Sequence, residues 1–261
     1  MSGLFAEKSV IVTGAGSGVG RATASRLAEE GARVVCADIA PAEAKETVRR
    51  IEAAGGVATA VEVDVSKEDQ VEAMVSAAVQ QYGRLDVLVN NVGVPTPRLG
   101  ALLEDHTVED FDRLVSVNLG GVFFGCKHAV LRYKEQGDGG VIVNTASVAG
   151  LVAWGGSVYG ATKGAVLQLT RALAIEAAPY GIRVNAICPA AMPLTGFMAA
   201  GGLDAETSAR PEVAAKMAAQ HPLGRSVTAE DCAEAILYLA SDRAANVTGV
   251  ALPVDGGYVA R

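Results

Sequence analysis

Tyr159 and Lys163 stand four residues apart in Tyr159-Gly160-Ala161-Thr162-Lys163. On a helix that spacing puts both on one face, so a phenol and an ammonium can address the same cavity. A phenol titrates at about 10 in water and must be brought toward neutral pH before it takes a proton from an alcohol. A neighbouring lysine cation favours the tyrosinate. Ser147, placed at the end of an apolar β-rich run, can donate to the oxygen whose proton moves. Taken alone, the Tyr-x-x-x-Lys spacing arises freely on solvated helix faces, so its meaning depends on what surrounds it.

Upstream, a β-rich run enters Thr13-Gly14-Ala15-Gly16-Ser17-Gly18-Val19-Gly20, and a helix is expected to start near Arg21. Glycines here allow a tight turn and close approach of backbone to a pyrophosphate, whose charge then meets the helix N-terminus. Gly14, Gly18 and Gly20 are the candidate contacts, with Ser17 and Val19 between them. Asp38 ends the second run, in Val34-Val35-Cys36-Ala37-Asp38, with Ile39 next to it. A carboxylate there accepts both ribose hydroxyls of NAD and repels the extra phosphate of NADP. Read more plainly, Asp38 ends a strand or caps the helix beginning near Pro41. No Arg or Lys lies between Ala15 and Val19 or directly after Asp38, where a 2′-phosphate would need a cation.

These residues need a frame that brings strand ends together. Apolar runs over 10–13, 33–37, 58–63, 87–90, 141–145, 183–186 and 250–254 alternate with helical patterns over 20–30, 42–54, 67–82, 111–135 and 159–178. That alternation means βαβ units in an α/β fold: one doubly wound, parallel, Rossmann-type sheet of about seven strands with helices on both faces. Ligands of such sheets sit beyond the carboxyl ends of the strands. At 261 residues one domain is the default, spanning the chain.

The combination resembles the short-chain dehydrogenase/reductase family, in its single-domain form, over nearly the whole chain. The resemblance makes Asp64 and Val65 the adenine-contacting pair. It aligns Asn90-Asn91-Val92-Gly93 with the family's Asn-Asn-Ala-Gly, and so places Asn91, Val92 and Gly93 at the cofactor. Asn118 sits where the family keeps a catalytic asparagine, ordering a water behind Lys163. Residue type alone would give Asp64, Asn90 and Asn118 ordinary turn or cap duties. In the implied reaction Tyr159 is the acid/base, Ser147 holds the substrate oxygen, and Lys163 also reaches the nicotinamide ribose. The expected activity is NAD-dependent interconversion of a secondary alcohol or diol with its ketone. A 3-oxoacyl-thioester reductase and a catalytically silent NAD(H) sensor are the rivals.

Two departures stand out. Ser147 and Tyr159 are one residue closer than in the family, with Ser157 as the fallback donor on another helical face. After the sixth strand, Pro189-Ala190 replaces Pro-Gly in the loop expected to meet the nicotinamide carboxamide. There Met192 is a cofactor candidate, and Thr195 falls one place later than usual. A substrate lid is expected at about 190–225. Val152, Trp154, Met192, Leu194, Phe197 and Met198 would line an apolar pocket for a hydrophobic ketone, a cyclic alcohol or a diol, or else pack the lid on its own domain. Gly201-Gly202 reads as its hinge, and His221-Pro222-Leu223-Gly224-Arg225 as its end.

A net charge of -7 with no basic run removes the footprint that nucleic acid or an anionic membrane would require. No run of apolar residues approaches the roughly 20 that span a bilayer. The glycine loop begins by Gly14, leaving no room for a signal peptide, so a cytoplasmic protein is expected. Cys36, Cys126, Cys188 and Cys232 form no C-x-x-C pair and read as buried reduced thiols, and no metal site is expected. His221, His106 and His128 read as structural. Asp255-Gly256-Gly257 is another family marker. The resemblance implies a homotetramer whose interface includes the Tyr159 helix, where Gly160, Ala161, Gly164 and Ala165 would permit close contact.

Overall fold

The computed structural model describes residues 3–97, 100–192, 197 and 211–261. Seven parallel strands form one sheet: β1 (Ser9–Thr13), β2 (Arg33–Asp38), β3 (Val57–Glu62), β4 (Val87–Asn90), β5 (Gly140–Thr145), β6 (Ile182–Pro189) and β7 (Ala251–Val254). Their order is β3-β2-β1-β4-β5-β6-β7. The chain walks outward from β1 through β3, then returns to β1's other side with β4. The carboxyl ends of β1 and β4 therefore diverge at a topological switch point, where an open α/β sheet leaves a crevice.

Helices α1 (Gly18–Glu29), α2 (Pro41–Ala53), α3 (Glu68–Tyr82), α4 (Val108–Val115), α5 (Gly121–Gln136), α6 (Ser157–Ala177), α7 (Pro211–Ala218) and α8 (Ala229–Ala240) flank the sheet. Alternate side chains of each strand feed two cores, because successive residues point to opposite faces. Val10, Val12, Val34, Cys36, Val87 and Val89 pack with Leu27 of α1 and Ile236 of α8. Ile11, Val35, Leu88 and Ile142 pack on the other side with Met74 of α3, Ala129 of α5 and Val166 of α6. Burial on both faces explains why β1 and β4 read as unbroken apolar runs.

The long helix expected over 111–135 is broken in a way that bears on chemistry. Between α4 and α5 the turn Ser116–Gly120 widens into a single π-helical turn, with Asn118 buried inside it. The continuous helical run Val108–Gln136 is also, by length and composition, apolar enough to cross a bilayer, contrary to the expectation that no segment is. Its apolar side chains Val122, Cys126, Ala129 and Tyr133 instead pack into the core beneath β4 and β5.

Candidate active site

A cleft of about 660 Å³ opens over the carboxyl ends of the strands. It runs from Gly14, Ser17, Gly18 and Val19 past Asp38 and Ile39 to Asp64 and Val65, and through Asn91, Val92 and Gly93 to Ser147, Tyr159, Lys163, Pro189 and Met192. Of the expected site residues, Gly20 and Asn118 stand behind the lining, and Thr195 lies outside the described residues. So do Leu194, Met198 and Gly201-Gly202 of the expected lid.

The dinucleotide end is shaped by main chain. Gly14 and Gly18 take φ of +67° and +49°, in the left-handed region that glycine enters freely. A Cβ on Gly20 would come within 2.0 Å of the Gly14 carbonyl oxygen, so only glycine lets α1 begin this close beneath the loop. Ser17 caps α1 with no side-chain hydrogen bond. Within the helix the first amide to find an acceptor is that of Arg21, on the Ser17 carbonyl at 3.0 Å. The amides of Gly18, Val19 and Gly20 are left for an anion at the positive end of the helix. This cradle, with a carboxylate 20 residues further along the chain at Asp38, fits a dinucleotide.

Asp38 also has local work. Its Oδ2 accepts from the Gly16 N–H at 2.8 Å and its Oδ1 from the Ala40 N–H at 2.9 Å, so the carboxylate fastens the glycine loop to the start of α2. Asn91 donates through Nδ2 to the Thr13 carbonyl at 3.1 Å and accepts from the Thr145 hydroxyl at 3.4 Å, fastening the ends of β1 and β5. Asp64 Oδ1 accepts from the amide and the hydroxyl of Ser66.

At the reaction end Ser147 and Tyr159 are both buried and both line the cleft, and the Ser147 hydroxyl donates to the Pro189 carbonyl at 3.4 Å. Ser147 leaves β5 in extended backbone and accepts from the Ala149 N–H at 3.1 Å, which caps the short turn Val148–Gly150 and fixes its rotamer. Ser157 is exposed at the start of α6, and Val152 is exposed too; neither lines the cleft. Lys163 is buried, and its Nζ donates to the Thr145 carbonyl at 2.9 Å, 5.8 Å from the Tyr159 ring centroid.

Electrostatics here runs against the simple expectation of a lowered tyrosine pKa. Burial pushes Tyr159 up to about 12, opposed by the hydrogen bond with Ser147. Burial likewise pushes Lys163 down to about 8. Desolvation disfavours both charged forms. Cys188, beside the loop after β6, is pushed up to about 12 by burial, which suits an inert thiol.

The side-chain amide of Asn118 is engaged at both ends. Its Oδ1 accepts from the Val94 N–H at 2.7 Å, and its Nδ2 donates to the Val94 carbonyl at 2.9 Å and to Thr162 Oγ1 at 3.4 Å. It clamps the loop after β4 onto α6. The substrate side of the cleft is apolar: Trp154, Val94 and Phe197 pack with Tyr159, and the Phe197 and Tyr159 rings stand 5.7 Å apart. His221 is buried, bonded to the Met217 carbonyl at 3.0 Å and set against Tyr258, a structural placement as expected.

Sequence reasoning missed Ser66, Arg113, Ser116, Val117 and Ala191, all of which line the cleft. The three on the α4 side lie five, two and one residues before Asn118, on the opposite side of the helix from it, so Asn118 gave no signal for them. It also missed Arg21, which folds back to donate to the Gly16 carbonyl.

Residues 14–259 match the family model described as Enoyl-(Acyl carrier protein) reductase. The chain belongs to the short-chain dehydrogenase/reductase family. Among its relatives, cis-4-hydroxycyclohexanecarboxylate dehydrogenase of Sinomonas cyclohexanicum is 43% identical, with 100% of each chain covered. The 3beta-hydroxysteroid dehydrogenase 1 of Eggerthella lenta is 42% identical over 96% of this chain and 93% of its own. The solved 3-ketoacyl-(acyl-carrier-protein) reductase from Brucella melitensis, complexed with NADH, superposes with a TM-score of 0.87 at 39% identity, covering 97% of this chain and 99% of that one. This short-chain dehydrogenase/reductase is thus an oxidoreductase of CH–OH groups that uses a nicotinamide cofactor and interconverts secondary alcohols and ketones.

Proposed function

We propose that this short-chain dehydrogenase/reductase is an NAD-dependent dehydrogenase of apolar, ring-bearing secondary alcohols, with Tyr159 as its acid/base. What carries the reading is that a single cleft joins the buried Ser147–Tyr159 pair to the Asp38 carboxylate. Gly14, Ser17, Gly18, Val19 and Gly20 would hold the pyrophosphate. Asp38 and Ile39 would take the adenosine ribose, and Asp64 and Val65 the adenine. Asn91, Val92, Gly93, Pro189 and Met192 would border the nicotinamide half. Nicotinamide, when bound, supplies hydride acceptance from the carbinol carbon.

The protein's own residues handle the proton. Ser147, held by the Ala149 amide, donates to the substrate oxygen and sets it against the Tyr159 hydroxyl. Tyr159 takes the alcohol proton on oxidation and returns it on reduction. Lys163 stabilises the tyrosinate as it forms, with its Nζ kept at that depth by the Thr145 carbonyl. Asn118 positions rather than reacts, since Val94 and Thr162 occupy its amide.

Trp154, Phe197, Val94 and Met192 offer flat and aliphatic surface and no charge, which favours an uncharged ring near the reacting carbon. The names of the Sinomonas and Eggerthella enzymes also give ring alcohols, the Sinomonas ring carrying a carboxylate as well. The test is NADH production from NAD across matched cyclic and acyclic secondary alcohols and vicinal diols. Higher kcat/KM for cyclic alcohols is expected; equal rates with open-chain diols would overturn the ring preference.

The same reading includes a homotetramer in the cytoplasm. Exposed Phe123 and Leu131 of α5 and Ile175 of α6 offer apolar surface for it. Of the small residues of α6, Gly160 serves packing within the chain, since a Cβ there would lie 3.1 Å from the Ala149 carbonyl oxygen, whereas Ala161 is exposed. Light scattering of the purified enzyme at four times the mass of one chain is the expected result.

A further inference from the structure

Behind Asp38 at the adenosine end of the cleft, and outside the cleft lining itself, lies a polar network that the glycine loop and Asp38 do not by themselves account for, and Gly16 is its hub. The Gly16 N–H donates to Asp38 Oδ2 at 2.8 Å, and its carbonyl accepts from the Arg21 guanidinium. Arg21 donates from the same terminal nitrogen to Glu43 Oε2 at 2.8 Å, and from Nε to Thr47 Oγ1 at 3.0 Å. Thr47 is fully buried and donates onward to the Ala15 carbonyl at 2.8 Å. A guanidinium held at three points by a loop carbonyl, a carboxylate and a buried hydroxyl has little freedom to turn elsewhere. A Cβ on Gly16 would lie 2.7 Å from Asp38 Oδ2 and 2.8 Å from Glu43 Cβ, so two acidic side chains close on the same glycine.

We propose that Glu43 is a second determinant of cofactor choice, acting through Arg21. The inference rests on the NAD reading above and deepens it. Asp38 would repel a 2′-phosphate directly. Glu43 adds a like charge beside the same glycine and engages a cation that stands one peptide unit from Asp38. The arginine that a phosphorylated ribose would require is therefore present, contrary to the appearance of the loop in sequence, but it is committed. Neutralising Asp38 alone leaves a phosphate facing Glu43 with Arg21 engaged. Neutralising both leaves Arg21 poised on Thr47 and Gly16, with the planar fork that binds phosphate bidentately.

The experiment compares wild type, Asp38→Ser, Glu43→Gln and the double variant as purified full-length enzymes. Calorimetry gives Kd for 2′,5′-ADP and 5′-ADP, and fluorescence titration gives Kd for NADPH and NADH. Wild type must favour NADH; equal NADPH affinity there would remove the NAD reading itself, separately from what the variants do. Given that preference, the double variant should bind 2′,5′-ADP about tenfold more tightly than the product of the two single effects. Adding Arg21→Met should return it to the Asp38→Ser value, with 5′-ADP affinity equal in the Asp38→Ser, double and triple variants. Multiplicative single effects, or a gain that survives Arg21→Met, would overturn the proposal. Should Arg21→Met fail to fold, salt dependence decides: 2′,5′-ADP affinity must fall more steeply with ionic strength in the double variant than in Asp38→Ser, and equal slopes overturn it.

Discussion

At its dinucleotide end the cleft is shaped by main chain that follows directly from a local run of glycines, whereas at its reaction end three side chains from two separate segments meet in a dry pocket. Gly14, Gly18 and Gly20 act through φ and close approach, and α1 supplies amides whatever residues flank them. Ser147, Tyr159 and Lys163 act through functional groups whose behaviour depends on burial and on partners such as Thr145 and Ala149. The two ends should therefore fail independently. Binding can survive the loss of chemistry, because the amides of α1 do not depend on the phenol.

Tyr159→Phe tests that separation most severely. Removing the hydroxyl while keeping the ring against Phe197 and Trp154 should lower kcat by about 1000-fold or more, in line with a general acid/base. The Kd for NADH should stay within about threefold of wild type. Comparable losses in both would mean that the two ends are coupled, and turnover near the wild-type rate would take Tyr159 out of the mechanism.

The same contrast governs what could be read from residues alone. The glycine loop, Asp38 and the seven apolar runs were legible because each signal is local: a turn that needs positive φ, a strand buried on two faces, an acid at a strand end. The ends of β6 were not, since the strand continues through Ile187 and Cys188 to Pro189 on pairing with β7. Tyr159 and Lys163 were legible by spacing, but their environment was not. A lowered tyrosine pKa was expected from charge alone, and the depth of the pocket reverses its direction in the bare chain. Asn118 was found, yet its duty follows from the π turn and from Val94, which no spacing rule encodes. The Arg21–Glu43–Thr47 network was missed because it joins α1 to α2 across 26 residues of sequence.

Lys163 gives a way to sharpen the comparison without measuring activity. Its amine sits at about 8 in the fold against 10.5 in an exposed lysine, so between those values the unfolded chain holds a proton that the folded chain has released. Stability then rises with pH across that window. The thiols Cys36, Cys126, Cys188 and Cys232, pushed up to about 12 by burial, act with the opposite sign as unfolded thiols ionise around pH 9, and they do so equally in wild type and in Lys163→Met. The difference between those two proteins isolates the lysine. In urea unfolding of the cofactor-free enzymes, wild type should gain about 1 kcal/mol relative to Lys163→Met from pH 8 to 9. An identical slope in both proteins would mean that the ammonium is better solvated than its burial implies.

Ser157→Ala is the smallest change and the finest probe of how the reaction end is aimed. Both Ser147 and Ser157 lie close enough in sequence to Tyr159 to serve as the second hydroxyl, and the one-residue contraction between Ser147 and Tyr159 made the choice open. In the fold Ser157 is the exposed first residue of α6, whereas Ser147 is buried, lines the cleft and is bonded to the Ala149 amide and the Pro189 carbonyl. Ser157→Ala should therefore change kcat/KM by less than about twofold, near the limit expected of a surface substitution. Ser147→Ala measured beside it should lose far more. If the order were reversed, the shortened loop would have to move Ser157 inward when substrate binds, and the reaction end would be assembled by its ligand, unlike the preformed backbone cradle at the other end.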